Sequence, residues 1–253
     1  DGFGPYMPGF DIIPYNDLAA LEKAVQNPLV CAFMVEPIQG EAGVFVPNDG
    51  YLKGVRELCT KNKVLMIADE IQTGLCRTGK MLCCDHENVR PDLLILGKAL
   101  SGGVLPVSAV LADDEVILGI KPGEHGSTYG GNPLACAVAI ESLQVLKDEK
   151  LDENAARMGE MLRAGLRKMD YKWIHQVRGK GLLNAVEIDH DAGANAWDIC
   201  VQMKNNGLLA KPTHDNIIRF APPLVINEQQ LNDSLAIISK SFAQVEEARM
   251  ARS

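Results

Sequence analysis

The sequence predicts an α/β protein: a mainly parallel sheet with flanking helices, followed from about residue 150 by a smaller α+β domain. Three observations carry this. Four apolar runs in the first half are continuous rather than alternating, the pattern of strands covered on both faces. Helical spacing falls between these runs, as crossover connections in a parallel sheet require. Past residue 150 the texture changes to short strands mixed with amphipathic helices, dividing the chain into 1–150 and 151–253.

In order along the chain, residues 30–35 (VCAFMV) form the first run, closed by Glu36 and Pro37. Tyr51, Leu52, Val55, Leu58 and Cys59 recur at helical spacing, with Asp49 placed to cap that helix. Residues 64–68 (VLMIA) are the second run and end at Asp69 and Glu70; residues 93–96 are the third and end at Gly97 and Lys98. Residues 107–111 are the fourth. An Ala-rich amphipathic helix spans 133–146 behind HGSTYGGN, and a second helix spans 151–169. Residues 181–188 and 217–220 read as strands, separated by a helix over 196–206 that Gly207 stops. Asn227 and Gln230 have capping-box spacing for a last helix from Leu231 to about Glu247.

Bulk properties remove several function classes. The net charge of −8 argues against a sequence-independent hold on nucleic acid, which needs clustered Lys and Arg. No apolar run approaches the ~20 residues that span a bilayer. The seven cysteines contain no CxxC pair. Cys31, Cys59, Cys136 and Cys200 lie in apolar segments and read as buried free thiols, and the adjacent Cys83 and Cys84 as loop or helix residues. His86, His125, His175, His190 and His214 are scattered without ligand spacing, so no metal is expected. The opening DGFGPYMPGF has no initiator Met, signal or transit pattern, and reads as the interior of a longer protein.

Three apolar strands end in charge: Glu36, Asp69 and Lys98. In open α/β sheets ligands bind beyond the carboxyl ends of the strands, so these residues share the place where a site forms. A desolvated lysine is a competent amine nucleophile. An aspartate beneath a heterocycle keeps a ring nitrogen protonated, as a pyridoxal phosphate electron sink needs. A structural Asp–Lys pair is the plain alternative. Ser127 and Thr128, among glycines ahead of a helix, suit an anion but also an ordinary turn. Arg219 suits a substrate carboxylate or simply the surface.

MVEPIQGEAGV (34–44), IADEIQTGLCRTG (67–79), LGKALSGG (96–103), HGSTYGGNPLA (125–135) and RFAPPL (219–224) follow one another as in the fold-type I, class III pyridoxal-phosphate aminotransferases. The chain resembles that family from Asp1 to about Phe242, and GFGPYMPGFDIIPYND (2–17) with IKPGEHGSTYGGNPL (120–134) resembles its ornithine-handling branch. The resemblance implies a covalent bond from Lys98 to pyridoxal 5'-phosphate, Asp69 on the ring nitrogen and Gln72 on the ring hydroxyl. It implies that Ser127 and Thr128 hold the cofactor phosphate of the other subunit in a homodimer. Arg219 is expected to bind the α-carboxylate of glutamate or 2-oxoglutarate, Glu36 to pair with Arg219 while ornithine is bound, and Glu41 to line the pocket.

The implied reaction moves the δ-amine of ornithine to 2-oxoglutarate, giving glutamate semialdehyde and glutamate. The family's upstream phosphate loop, stacking aromatic and distal-carboxylate arginine are not in these residues. The first domain therefore reads as an incomplete fold-type I large domain that needs an N-terminal segment of the same protein as partner. The compartment, mitochondrial matrix or cytoplasm, stays open. Alternatives are an acetylornithine or other ω-amino-acid aminotransferase, or an inert chain that serves only in assembly.

Overall fold

The structure, a computed structural model, describes residues 2–189 and 194–251, so His190 lies outside the described residues. The first sheet orders its strands β1 (Ala32–Val35), β2 (Leu65–Asp69), β3 (Leu93–Leu96) and β4 (Ala109–Ala112) side by side. The pairs β1–β2 and β2–β3 are parallel, as the continuous apolar runs predict, but β4 returns antiparallel to β3. The reason is local. Behind β3 the chain makes only a 3-10 turn, Lys98–Ser101, with Gly102 and Gly103 following at positive φ, and no crossover helix intervenes.

Helices α1 (Leu18–Ala24) and α2 (Tyr51–Asn62) cover one face of this sheet. Leu21, Val55 and Cys59 pack there against Val35, Met66 and Ala68, all buried. The sheet is covered less completely than the sequence predicts. A cluster of Leu96, Leu100, Ala139 and Leu146 gathers under α4 (Pro133–Asp148), while Met34, Val110 and Leu111 remain exposed. A four-residue helix, α3 (Asp114–Ile117), follows β4.

The expected Asp49 cap of α2 is not used. Gly50 takes the N-cap position at positive φ, and Glu87 supplies the acceptors instead, with its two oxygens receiving the Gly50 and Lys53 N–H groups at 3.2 and 2.9 Å. A capping box does open the last helix, α7 (Glu228–Met250), which runs slightly past the expected end.

A second, antiparallel sheet has the order β5 (Ile174–Lys180), β6 (Leu183–Ile188), β8 (Ile217–Phe220) and β7 (Lys211–Thr213). Helices α5 (Leu151–Arg167), α6 (Ala196–Asn205) and α7 close it into a core of Met158, Leu162, Trp173, Ile199, Ile218 and Phe242. Strands β5 and β7 were not expected from the sequence. Polar residues fill β5, and β7 is three residues long with Pro212 in its middle.

Cysteine burial differs from expectation at two positions. Cys59 and Cys200 are buried, but Cys31 and Cys136 are exposed, because each falls at the solvent edge of its apolar segment. Cys83 and Cys84 are buried in a 3-10 turn, Cys83–Glu87. Burial pushes the Cys59 and Cys76 thiols up to about 11 and those of Cys83 and Cys200 up to about 12, with Cys84 raised further. Thiol reactivity follows thiolate character and access. The native chain at pH 8 is expected to release two equivalents of colour with a disulfide reagent, from Cys31 and Cys136. All seven should react only after denaturation, and five fast thiols in the native state would contradict this burial.

Candidate active site

The parallel register aligns Val35 with Ala68 and Asp69 with Ile95, so the carboxyl ends of β1, β2 and β3 lie along one edge. Glu36, Asp69 and Lys98 come off that edge, as expected of the topology. Asp69 is half-buried, and its Oδ1 accepts the Ile71 N–H at 3.0 Å, which turns the chain toward Gln72. Lys98 sits at φ +42°, an uncommon conformation for a side chain, and such strain gathers at functional positions. Its Nζ donates to Gln72 Oε1 at 3.2 Å. Lys98 is exposed rather than desolvated.

A buried carboxylate keeps this edge rigid. Glu70, 1% exposed, accepts from Thr73 Oγ1 at 2.5 Å and from the Cys83 and Cys84 N–H groups at 3.0 and 2.8 Å. Three donors balance the cost of burying its charge, and they fix the backbone between Asp69 and Gln72.

The next loop over, residues 39–45, is closed by paired Gln39 and Phe45 backbones. A Cβ on Gly40 would fall 2.1 Å from Gln72 Nε2, so the Gln72 amide lies across the place a larger residue would fill. Glu41 stands beside it. Its Oε1 accepts from Arg219 Nη1 at 2.7 Å and its Oε2 from Lys211 Nζ at 2.7 Å. These two partners, Lys211 first, pull the Glu41 carboxyl down to about 2.

The structure pairs Arg219 with Glu41 rather than with Glu36, the residue expected to hold it while ornithine is bound. The reason is that Glu36 is spent on its own loop, its Oε2 accepting the Gly40 N–H at 3.1 Å. Tyr15 Oη, kept protonated because burial pushes its phenol up, donates to the Glu36 and Pro37 carbonyls and holds that stretch in place.

Two arginines that the sequence did not single out tie this edge to the second sheet. Arg178 Nε donates to the Gly43 and Val44 carbonyls at 3.1 Å each, and its Nη2 donates to Gly43 O at 2.8 Å. Its guanidinium also pairs with Glu187 and lies 4.6 Å from the Phe45 ring centroid. Gly43, at φ +133°, admits this approach, because a Cβ there would meet Ile217 Cδ1 at 2.6 Å. Arg77 Nη1 donates to Leu182 O at 3.1 Å and Pro222 O at 2.6 Å. Lys211 was missed as well, since it becomes visible only once β7 pairs with β8. Arg77 stands inside the 67–79 motif but was given no role there, and Arg178 lies outside every quoted motif.

Ser127 and Thr128 lie in an exposed loop ahead of α4. Ser127 Oγ accepts the Gly130 N–H at 2.8 Å, and Asn132 caps the helix. No contact joins this loop to Lys98 among the hydrogen bonds of the described residues.

The donor set fits pyridoxal phosphate: an amine for its aldehyde, an amide for its ring hydroxyl and a carboxylate for its ring nitrogen, all on one sheet edge. A class III aminotransferase family model matches residues 1–242. Mitochondrial ornithine aminotransferase of Rattus norvegicus is 64% identical over 242 residues, covering 96% of this chain and 55% of that protein. The Drosophila melanogaster enzyme is likewise 64% identical, with 96% and 56% covered. The chain thus spans about half the length of the curated relatives it matches. A Toxoplasma gondii ornithine aminotransferase structure, described as partly occupied by pyridoxal phosphate, superposes at TM-score 0.96 with 54% identity, covering 99% of this chain and 59% of that one. An acetylornithine aminotransferase structure from Elizabethkingia anophelis reaches TM-score 0.90 at 58% identity, covering 94% and 63%. The chain belongs to the class III aminotransferases, a family that works with pyridoxal phosphate.

Proposed function

We propose that this chain carries the lysine side of an active site that moves the terminal amine of ornithine to 2-oxoglutarate, yielding glutamate semialdehyde and glutamate. One observation supports this reading above others. Lys98, Gln72, Gly40, Glu41 and Arg219 form a continuous path, so the reacting amine and a masked guanidinium sit at either end of one loop. When bound, pyridoxal phosphate supplies an aldehyde that carries the amino group and a ring that takes up the electron pair of the reacting carbon.

Lys98 Nζ would hold the cofactor through its aldehyde and, when free, would move a proton from the substrate's δ-carbon to the cofactor. Gln72 would orient that amine and reach the ring hydroxyl, and Asp69 would keep the ring nitrogen protonated. Ser127 and Thr128, which make no hydrogen bond to Lys98 among the described residues, would hold the phosphate of a second subunit in a homodimer. The cofactor domain is taken as 1–150 and the smaller one as 151–253. A further segment of the same protein would complete the phosphate site. The relatives named mitochondrial favour the matrix over the cytoplasm as compartment.

Glu41 decides which end of the substrate enters. While it covers Arg219, the guanidinium is not free to take an α-carboxylate, and a diamino acid presents its distal amine. When Arg219 is uncovered, a dicarboxylate binds through a bidentate contact. The same edge would serve acetylornithine, and the 58% identical acetylornithine aminotransferase keeps that reading in play.

Mixing the protein with pyridoxal phosphate, reducing with borohydride and mapping the labelled peptide tests both. Label on Lys98, and loss of the cofactor's absorbance band on adding ornithine, is the expected result. A band that responds to acetylornithine alone selects the second reading, and label spread over surface lysines sinks the site.

A further inference from the structure

We propose that Lys211 is a specificity-determining residue that receives the Glu41 carboxylate whenever Arg219 turns to a dicarboxylate substrate. The inference rests on the aminotransferase reading above and extends it to a residue outside the motifs that carry the family resemblance.

Lys211 and Arg219 are direct cross-strand partners in the β7–β8 pair. Like charges directly opposite one another in a sheet are unfavourable. Glu41 resolves this by placing one oxygen on each cation at 2.7 Å. The two cations are not equivalent. The Arg219 side chain is 13% exposed and held, whereas that of Lys211 is 54% exposed, on a flexible stem with three donors. Enclosure leaves the Arg219 side chain little room, and Lys211 can follow a moving carboxylate.

The loop itself is fixed. Arg178 grips the Gly43 and Val44 carbonyls, the Gln39 and Phe45 backbones pair, and Glu36 holds the Gly40 N–H. Opening the site is therefore a rotation of the Glu41 side chain, not a movement of its backbone. Without Lys211 the expelled carboxylate would stand unpaired beside the carboxylate that displaces it. With Lys211, Glu41 gives up one bond and keeps the other. Lys211 thus lowers the cost of the open arrangement selectively for a dicarboxylate.

Calorimetric titration with glutarate, a dicarboxylate with no group to react, reads this without turnover. The pyridoxal phosphate-loaded protein is compared with Lys211→Met and Lys211→Arg, each with Glu41 present and in a Glu41→Gln background. With Glu41 present, Lys211→Met is expected to weaken glutarate by about three- to fivefold, and Lys211→Arg to recover most of it, the scale of a solvent-exposed ion pair. In the Glu41→Gln background the Lys211→Met effect should fall below about twofold, because there is no carboxylate left to receive.

In steady state the KM for 2-oxoglutarate rises in Lys211→Met while that for ornithine does not. A glutarate loss of equal or larger size in the Glu41→Gln background means that Lys211 attracts the ligand directly and overturns the proposal. No loss with Glu41 present overturns it too, as does wild-type protein that fails to bind glutarate at millimolar concentration. Wild-type protein that binds glutarate but leaves ornithine untouched sinks the ornithine reading and leaves the Lys211 comparison intact.

Discussion

Lys98→Ala is expected to abolish covalent uptake of pyridoxal phosphate and to slow amine transfer by at least about a thousandfold. Positioned proton transfer alone contributes about 10²–10⁴-fold, and on the proposed function Lys98 would also supply the nucleophile that anchors the cofactor. The substitution should leave the fold alone. Lys98 is exposed and its hydrogen bond is a 3.2 Å contact with Gln72, the kind of site where truncation changes stability by about 0.5 kcal/mol or less. Circular dichroism and thermal melts matching wild type, together with loss of the borohydride-fixed label, give the two halves of the result. A variant that still takes up one equivalent of label at a single lysine would move the reacting amine elsewhere.

Glu41→Gln is the second large effect, and it appears in where the reaction occurs rather than in how fast. On the proposed function, removing the negative charge would uncover Arg219 for the α-carboxylate of ornithine and bring the α-amine toward Lys98. Hydrogen bonds between charged groups contribute about 1.5–3 kcal/mol, and the Glu41 side chain is more than half exposed, so the lower end applies. That corresponds to a rise of about tenfold in α- over δ-transamination.

The pH dependence has a definite sign. The Glu41 carboxyl is lowered to about 2, so its contribution is fully present above the ordinary carboxylate range near 4.5 and is lost as pH falls through about 2. The gate therefore does not open by protonation anywhere between pH 5 and 9, in the sense that Glu41 remains ionised throughout. Product analysis across about that range should give a constant α-to-δ ratio for wild type. An unchanged ratio in Glu41→Gln would remove Glu41 from the gate.

The strand ends were legible because buried parallel strands announce themselves as unbroken apolar runs, and the charge that stops each run marks the sheet edge. Glu36, Asp69 and Lys98 were found in this way, and all three lie on one edge. What the sequence could not separate was Glu36 from Glu41. Both stand in the same eleven-residue motif, and the choice depends on how residues 39–45 curl back beneath Arg178, a side chain more than a hundred positions away. Lys211 was hidden for a related reason: a three-residue strand with a proline in it has no periodicity to read. The reversed direction of β4 was equally silent, since an apolar run does not state its own polarity. Family motifs located the chemistry, and tertiary contacts assigned the partners within it.

The borrowed cap of α2 bears on how the chain is made. A helix's first turn leaves its N–H groups without internal partners, and a nucleus of one turn is unfavourable by itself. Here the acceptors come from Glu87, 37 positions beyond Gly50 and past the whole of β2. The start of α2 can therefore be capped in this way only once residue 87 has been made, and the helix start and the Cys83–Glu87 turn depend on one another.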